Sequence, residues 1–343
     1  MSMVSYDKIF VTNLPSFYKI NLYNEINKRQ RVLAVFTESG DSTRNADFYK
    51  GQMTFDYIKL GDRTLLSKIF SMMRIIFSFK YNVIVIGGWD SILAWICMLL
   101  SPRRKNALAL ESSVSESSTN GIKGILKRIF LSRISRVYAS GQMQKKLLDA
   151  LGYKGEVVIT KGVGIYKVHE TSPFKQKAEV KNFIYVGRFI PCKNLENLVK
   201  VFEKFPDCTL TMVGFGELDE KLRSIAPKNV VFTGAVDNAK LPEYYRKSDV
   251  LILPSYSEPW GLVVEEALNN GIPVITSENV GCNAEVVKDG QTGIVFSFGE
   301  PDGLACAIDR IRDIRLYDKI SLNIRNIDFA GIRAYQINCY IEK

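Results

Sequence analysis

Short apolar runs recur along the chain, separated by segments of helical period, and this alternation restricts the fold more than any other feature. In the first half the runs are Ile9–Leu14, Val32–Thr37, Asp56–Leu60, Val83–Gly87, Ala107–Leu110, Val137–Ser140 and Val157–Thr160. In the second half they are Phe183–Gly187, Leu210–Gly214, Val230–Thr233, Val250–Pro254, Pro273–Thr276 and Gly293–Phe296. Several are apolar without polar alternation, as in parallel strands covered on both faces. Strands alternating with helices build βαβ units and doubly wound sheets. The 343 residues exceed one typical core and suit two such α/β domains. Periodicity lapses from Val163 to Lys181, around Pro173, so the connection is placed there. Expected boundaries are 1–165 for the first domain, 166–180 for the linker, 181–320 for the second domain and 321–343 for a last segment. Open α/β sheets bind ligands beyond the carboxyl ends of their strands. Two Rossmann-like domains facing across a cleft therefore place the site in that cleft.

Charge is unevenly distributed. Residues 1–180 hold 27 Lys and Arg against 14 Asp and Glu, and residues 181–343 hold 19 against 22. The net +10 thus resides entirely in the first half. A basic domain suits an anionic partner such as a membrane face, a nucleic acid or a phosphorylated substrate. The six cysteines are scattered with no Cys-x-x-Cys pair, which reads as reduced thiols. His169 is the one histidine, and no Asp-x-Asp occurs, so a metal site has little material and none is expected. The first ten residues lack the apolar core of a signal peptide. The longest apolar stretch, Ile92–Leu100, is about half of what a bilayer crossing needs. It is expected as a buried or interfacial helix, followed by Arg103, Arg104 and Lys105.

The densest chemistry lies between Pro254 and Ile275. A strand ends at Pro254, a polar loop carries Glu258, and Gly261 opens a helix holding Glu265 and Glu266 before Gly271. The first N–H groups of a helix lack partners and attract an anion such as a diphosphate. Gly261 permits close approach of a ligand to the backbone. Carboxylates accept hydrogen bonds from paired sugar hydroxyls, which suits Glu258 and Glu266 to a polyhydroxy ligand.

The segment resembles the Glu-x7-Glu region of retaining GT-B glycosyltransferases of family GT4. By that resemblance Glu258 contacts the transferred sugar and Glu266 the nucleotide ribose, while Gly261, Leu262 and Val263 border the donor. Three further segments are similar to the same family, in order. Tyr185-Val-Gly187-Arg188 followed by Lys193 resembles its diphosphate-neutralising element. There Arg offers a planar fork and Lys a point charge to phosphate oxygens. Val213-Gly214-Phe-Gly216 resembles a turn after the second strand of the donor domain. Val231-Phe-Thr-Gly234-Ala-Val236 resembles the stretch whose backbone reads the nucleobase. The implied catalytic residues are Glu258, Arg188 and Lys193. The implied donor is a nucleotide sugar, with UDP-sugar expected, and no cofactor.

The N-terminal half resembles the family less. Thr12–Ile26 is similar to a variant in which a Pro-x-x-Arg-like turn leads into the first helix, with Lys19 near the Arg position. Where many members carry a histidine, this chain has Ala109-Leu-Glu111-Ser-Ser113, so no catalytic base is assigned. Tyr18, Lys19 and Glu111 are the candidate acceptor contacts. The family habit also implies that 321–343 packs back on the N-terminal domain.

Two basic, apolar helices are expected in the first half, over 63–80 and 121–136. Apolar spacings of three and four with basic flanks suit an anionic bilayer. A helix between strands must pack, so 63–80 is assigned to the core. For 121–136 two readings stand: a core helix with solvated charges, or contact with a membrane or polyprenyl-phosphate acceptor. The resulting expectation is an enzyme that builds bacterial surface polysaccharide (O-antigen, capsule or lipopolysaccharide). It would act on a glycan or polyprenyl-diphosphate-linked acceptor, peripherally on the cytosolic face of the inner membrane. Rival readings are a GT-B epimerase or hydrolase, and a charge-driven nucleic-acid binder that would need neither Glu258 nor Glu266.

Overall fold

The computed structural model describes residues 4–40 and 45–341. The chain divides into two compact units, the first holding residues 4–40, 48–166 and 331–341 and the second 45–47 and 167–330, so that the short segment 45–47 leaves the expected first domain.

In the first unit, β1 (Ser5–Thr12), α1 (Phe17–Asn27), β2 (Val32–Phe36), β3 (Asp56–Lys59), α2 (Leu65–Ser78), β4 (Lys80–Ile86), α3 (Ile92–Leu100), β5 (Asn106–Leu110), α4 (Gly121–Ser132), β6 (Arg136–Ala139), α5 (Gln142–Ala150) and β7 (Glu156–Ile159) follow one another. The sheet is wholly parallel, in the order β3-β2-β1-β4-β5-β6-β7. Strand composition follows position. β2 lies inside the sheet and is buried at every residue, whereas β3 at the edge is mostly exposed and carries Asp56 and Lys59. Thr64 and Ser91 start α2 and α3 by accepting hydrogen bonds from the Ser67 and Ala94 N–H groups, which supplies partners for otherwise orphan donors.

The second unit runs β8 (Asn182–Val186), α6 (Leu195–Val201), β9 (Thr209–Val213), α7 (Asp219–Ile225), β10 (Val230–Gly234), α8 (Leu241–Lys247), β11 (Val250–Leu253), α9 (Leu262–Asn269), β12 (Val274–Ser277), α10 (Asn283–Val286), β13 (Gly293–Phe296), α11 (Gly303–Arg312) and α12 (Ile314–Arg325). α13 (Phe329–Ile341) then crosses into the first unit. The sheet order is β10-β9-β8-β11-β12-β13, again all parallel. Both sheets reverse winding beside their first strand, between β1 and β4 and between β8 and β11, and such switch points are where open sheets bind ligands. Every run expected as a strand is one, with ends displaced by a few residues at most.

The first sheet is covered on both faces. α2, α3, α4 and α5 share one apolar cluster through Met72, Cys97, Phe130 and Leu147. α1 and α13 share the other, where Phe10 stacks on Tyr23 at 4.2 Å between ring centroids and Tyr138 on Tyr340 at 4.4 Å.

Three expectations need revision. The helix expected over 63–80 packs in the core as expected through Met72, Ile75 and Ile76, but not with all of its apolar surface: Leu66 and Phe70 are each 69% exposed and Phe77 61%. Lys80 and Arg136, read as helix flanks, instead open β4 and β6, and Arg136 Nε donates to Glu156 at 2.7 Å. The return to the first unit begins at Gly331 and not at 321, because Tyr317, Ile320 and Ile324 of α12 are buried within the second unit. The connection over 166–180 has no helix or strand, yet it is laid along the second unit. His169 and Asn269 exchange two hydrogen bonds, Lys177 pairs with buried Asp249, and Arg325 Nε donates to the Ser172 carbonyl.

Candidate functional site

The site grows from the switch point of the second sheet. Gly187 follows β8, and Gly214 and Gly216 follow β9. The two loops lie against each other: the Gly187 N–H donates to Val213 O at 3.0 Å and the Phe189 N–H to Phe215 O at 2.8 Å. At Gly214, with φ of 140°, a Cβ would sit 1.9 Å from Gly187 O, so no side chain fits. Gly234 ends β10, where its carbonyl accepts the Gly214 N–H at 2.9 Å. Val236 lies two residues beyond, half-buried. The family-like glycines thus knit three strand ends into one shallow floor.

Across the switch point, β11 ends at Leu253 and the following loop delivers Glu258. That loop rests on 279–282, since the Gly281 N–H donates to Glu258 O at 2.8 Å and the Cys282 N–H to Trp260 O at 2.9 Å. Gly261 then turns the chain into α9 at φ of 97°, a value few side chains tolerate, and Leu262 and Val263 form its first turn, half-buried. Their N–H groups lie at the helix start, where intrahelical acceptors do not exist.

Lys193 and Glu258 meet as an ion pair, although 65 residues separate them, and both side chains are largely buried. Arg188 is half-buried, and its guanidinium makes no ion pair among the described residues. Glu266 lies on α9, where its carboxylate accepts the Tyr245 hydroxyl at 3.0 Å. Part of its surface reaches solvent, yet its carboxyl lies deep enough that burial pushes it up to about 7, against the opposing effect of the Tyr245 hydrogen bond. Glu265 acts differently. It is buried and accepts the Trp260 indole N–H at 2.8 Å, which fastens the loop to the helix. Neither Tyr245 nor Trp260 stands out in the sequence as a partner of these glutamates. The aromatic donors lie at offsets of 21 and 5 residues from their acceptors, and no local pattern announces either bond.

In the first unit, two of the three candidate acceptor residues meet. Lys19 Nζ lies 2.9 Å from Glu111 Oε1 and donates to Thr12 Oγ1 at 3.0 Å. Burial disfavours the Lys19 charge, but the Glu111 carboxylate outweighs it and holds the ammonium above its usual range. Beside the pair is a cavity of about 20 Å³ lined by Thr12, Lys19, Gly87, Glu111 and Tyr340, room for about one water. Tyr18 packs its ring and carbonyl against Gly164. Among the described residues no group of three His, Cys, Asp or Glu is arranged to hold a metal ion.

Residues 169–326 match the family described as Glycosyl transferases group 1. An uncharacterised 41.2 kDa protein in the cps region of Klebsiella pneumoniae is 35% identical over 146 residues, 42% of this chain and 40% of that protein. The lipopolysaccharide core biosynthesis glycosyltransferase LpsE of Rhizobium meliloti is 26% identical over 169 residues, 47% of this chain and 49% of its own. The chain thus spans less than half the length of these curated relatives. Among solved structures, Anabaena HepE in complex with UDP-glucose superposes with a TM-score of 0.71 over 96% of this chain and 98% of that one, at 19% identity. That likeness shows the fold, which is GT-B. The match to the glycosyl transferases group 1 family is thus confined to the second unit, with its glycine-knitted strand ends and its two glutamates, Glu258 and Glu266.

Proposed function

We propose that the chain is a retaining glycosyltransferase that moves one sugar from a nucleotide sugar, a UDP-sugar first, to a hydroxyl of a glycan or polyprenyl-diphosphate-linked acceptor. The observation that carries this reading is the Lys193–Glu258 ion pair beside Gly261, at the switch point of the second sheet, with Glu266 following on α9. The UDP-glucose complex of the HepE neighbour supports a nucleotide-sugar donor. The LpsE and cps-region relatives support a role in bacterial surface polysaccharide synthesis.

In this mechanism the bond between the anomeric carbon and the β-phosphate oxygen breaks, and its electron pair stays on the leaving diphosphate. Arg188, Lys193 and the α9 N-terminus lie where that charge grows, and preorganised cations and dipoles are worth most there. The acceptor oxygen bonds to the same face of the sugar, and its proton passes to the departing phosphate, so no protein base is required. Glu258 accepts hydroxyls of the transferred sugar and Glu266 those of the ribose. In the structure Lys193 is held by Glu258, so donor entry must divide this pair between phosphate and sugar. The protein cations take the role a divalent metal would have, and turnover is expected to survive chelation. The reaction is placed at the cytosolic face of the inner membrane, with the first unit in peripheral contact.

The test is a thermal-shift panel of UDP-, GDP-, ADP- and dTDP-sugars on the native chain and on Glu266→Ala. A ligand at about 100 times its dissociation constant should stabilise the fold by about 2.7 kcal/mol. One nucleotide class should shift the native chain and leave Glu266→Ala unmoved. A folded sample that responds to none would refute the donor site. Free sugar or an epimer released without acceptor would point to the hydrolase or epimerase alternative.

A further inference from the structure

We infer that α2, α3 and α4 together form one membrane-docking face for anionic lipid, with α2 contributing as much as α4. The inference rests on the reading of the chain as a membrane-peripheral transferase and names the surface that makes the contact.

The three helices lie side by side on one face of the first sheet. α2 and α3 pack on each other through the shared core, and the Trp95 ring of α3 meets the Phe130 ring of α4 edge-on at 5.2 Å. Each helix buries one apolar stripe on the sheet and turns a second one outward. On α2 the outward stripe includes Leu66, Phe70 and Phe77, at steps of four and seven. On α4, Ile122, Ile125, Leu126 and Ile129 follow steps of three and four, and Ile122 is 77% exposed. Leu99 of α3 is exposed between them. Exposed apolar stripes on adjoining helices mark an interaction surface.

The charges select the partner. None of the three helices contains an Asp or Glu. Of their basic residues, Lys68 and Lys127 are tied inward, donating to Thr37 O at 2.9 Å and to Ser117 Oγ at 2.6 Å. Arg74, Lys123 and Arg128 remain exposed beside the apolar stripes. A second copy of the chain would oppose like charges across such a face. Nucleic acid would leave branched aliphatic side chains without a role, since bases stack on aromatic rings. An anionic bilayer interface meets both demands at once, with acyl chains for the stripes and phosphate headgroups for the cations. No helix among the described residues is long and apolar enough to cross a membrane. α4 begins at the carboxyl edge of the first sheet, the edge that carries Glu111, so docking would bring that edge to the bilayer surface.

The test is flotation of the full chain with phosphatidylcholine vesicles, with and without phosphatidylglycerol. It compares the native chain with Leu66→Glu/Phe70→Glu on α2, Ile122→Glu/Ile125→Glu on α4 and Arg74→Gln/Lys123→Gln/Arg128→Gln. The native chain should float only with the anionic vesicles. Each glutamate pair should lower partitioning about tenfold or more, and the glutamine triple should remove the preference for phosphatidylglycerol. Thermal midpoints and nucleotide-sugar shifts should stay native in all three, since the substituted residues are exposed and lie outside the donor site. Native-like flotation of the α2 pair would overturn the three-helix face. So would a dimer broken by Phe70→Glu in a chain that floats with neither vesicle. Failure of the donor shift with flotation intact would leave the docking face standing and reject the transferase reading instead.

Discussion

The two sheets share one winding, outward in both directions from a first strand, yet they use the carboxyl edge beside that strand in opposite ways. In the second unit the loops after β8 and β9 are stripped to glycine, backbones touch, and the charged groups Lys193, Arg188 and Glu258 gather at the surface thus made. In the first unit the loop after β1 is Asn13-Leu14-Pro15, and the edge is filled by side chains: Lys19, Glu111, Thr12 and Tyr340 around a cavity of about 20 Å³. A shared topology supplies the edge, and the size of the residues just past each strand decides whether it binds or packs.

The sharpest way to break this contrast is to give the second unit the first unit's bulk. Gly214→Val would place atoms on Gly187 O and impose a strained φ, and should cost more than about 4 kcal/mol. Gly87→Ala, after β4 at the switch point of the first sheet, meets its nearest atom at 3.1 Å and should cost about 1 kcal/mol or less. Denaturant unfolding of the two variants checks the pair, and equal losses would dissolve the distinction. Next in size is Lys19→Met. It leaves Glu111 without its partner and should destabilise by about 1–3 kcal/mol, below the range for a fully buried pair because Glu111 is partly exposed. Adding Glu111→Leu should recover much of that loss, as expected if the group packs. A donor-independent loss of turnover at native stability would instead mark Lys19 as an acceptor contact.

The smallest effect concerns Glu266. Burial raises its carboxyl to about 7 in the folded protein, above the unfolded value near 4.5, so the folded state holds the proton more tightly. Stability contributed by that proton is full below the unfolded value and is lost as pH rises through about 7. Ribose hydroxyls donate to the ionised form, so donor affinity should run the other way and rise up to about tenfold between roughly pH 6 and 8. Glu266→Gln should flatten that profile in calorimetric titration, and an unchanged slope would remove Glu266 from the ribose.

Strand positions were legible because parallel strands covered on both faces must be continuously apolar, and β11 and β12, buried at every residue, read that way. The candidate donor loop was legible because its glycines, prolines and glutamates lie within one local segment. The outward stripe of α2 was not. Leu66, Phe70 and Phe77 have the same letters and spacing as core positions, and only the packed sheet shows that Met72, Ile75 and Ile76 had already filled the inner face. The Lys19–Glu111 pair was also hidden, since 92 residues separate its members and the sheet order alone brings them together.

The first unit has a consequence for biosynthesis. Its second apolar face, with Phe10, Tyr23 and Tyr138, is closed by Tyr340 and Cys339 of α13. On the ribosome this face stays open until the entire second unit has been translated, so the first unit cannot finish folding before its successor emerges. A fragment stopping at Tyr166 would expose these aromatic rings to solvent and is a poor choice for expression. Joining residues 331–341 to it through a flexible tether should restore a soluble, independently folding half.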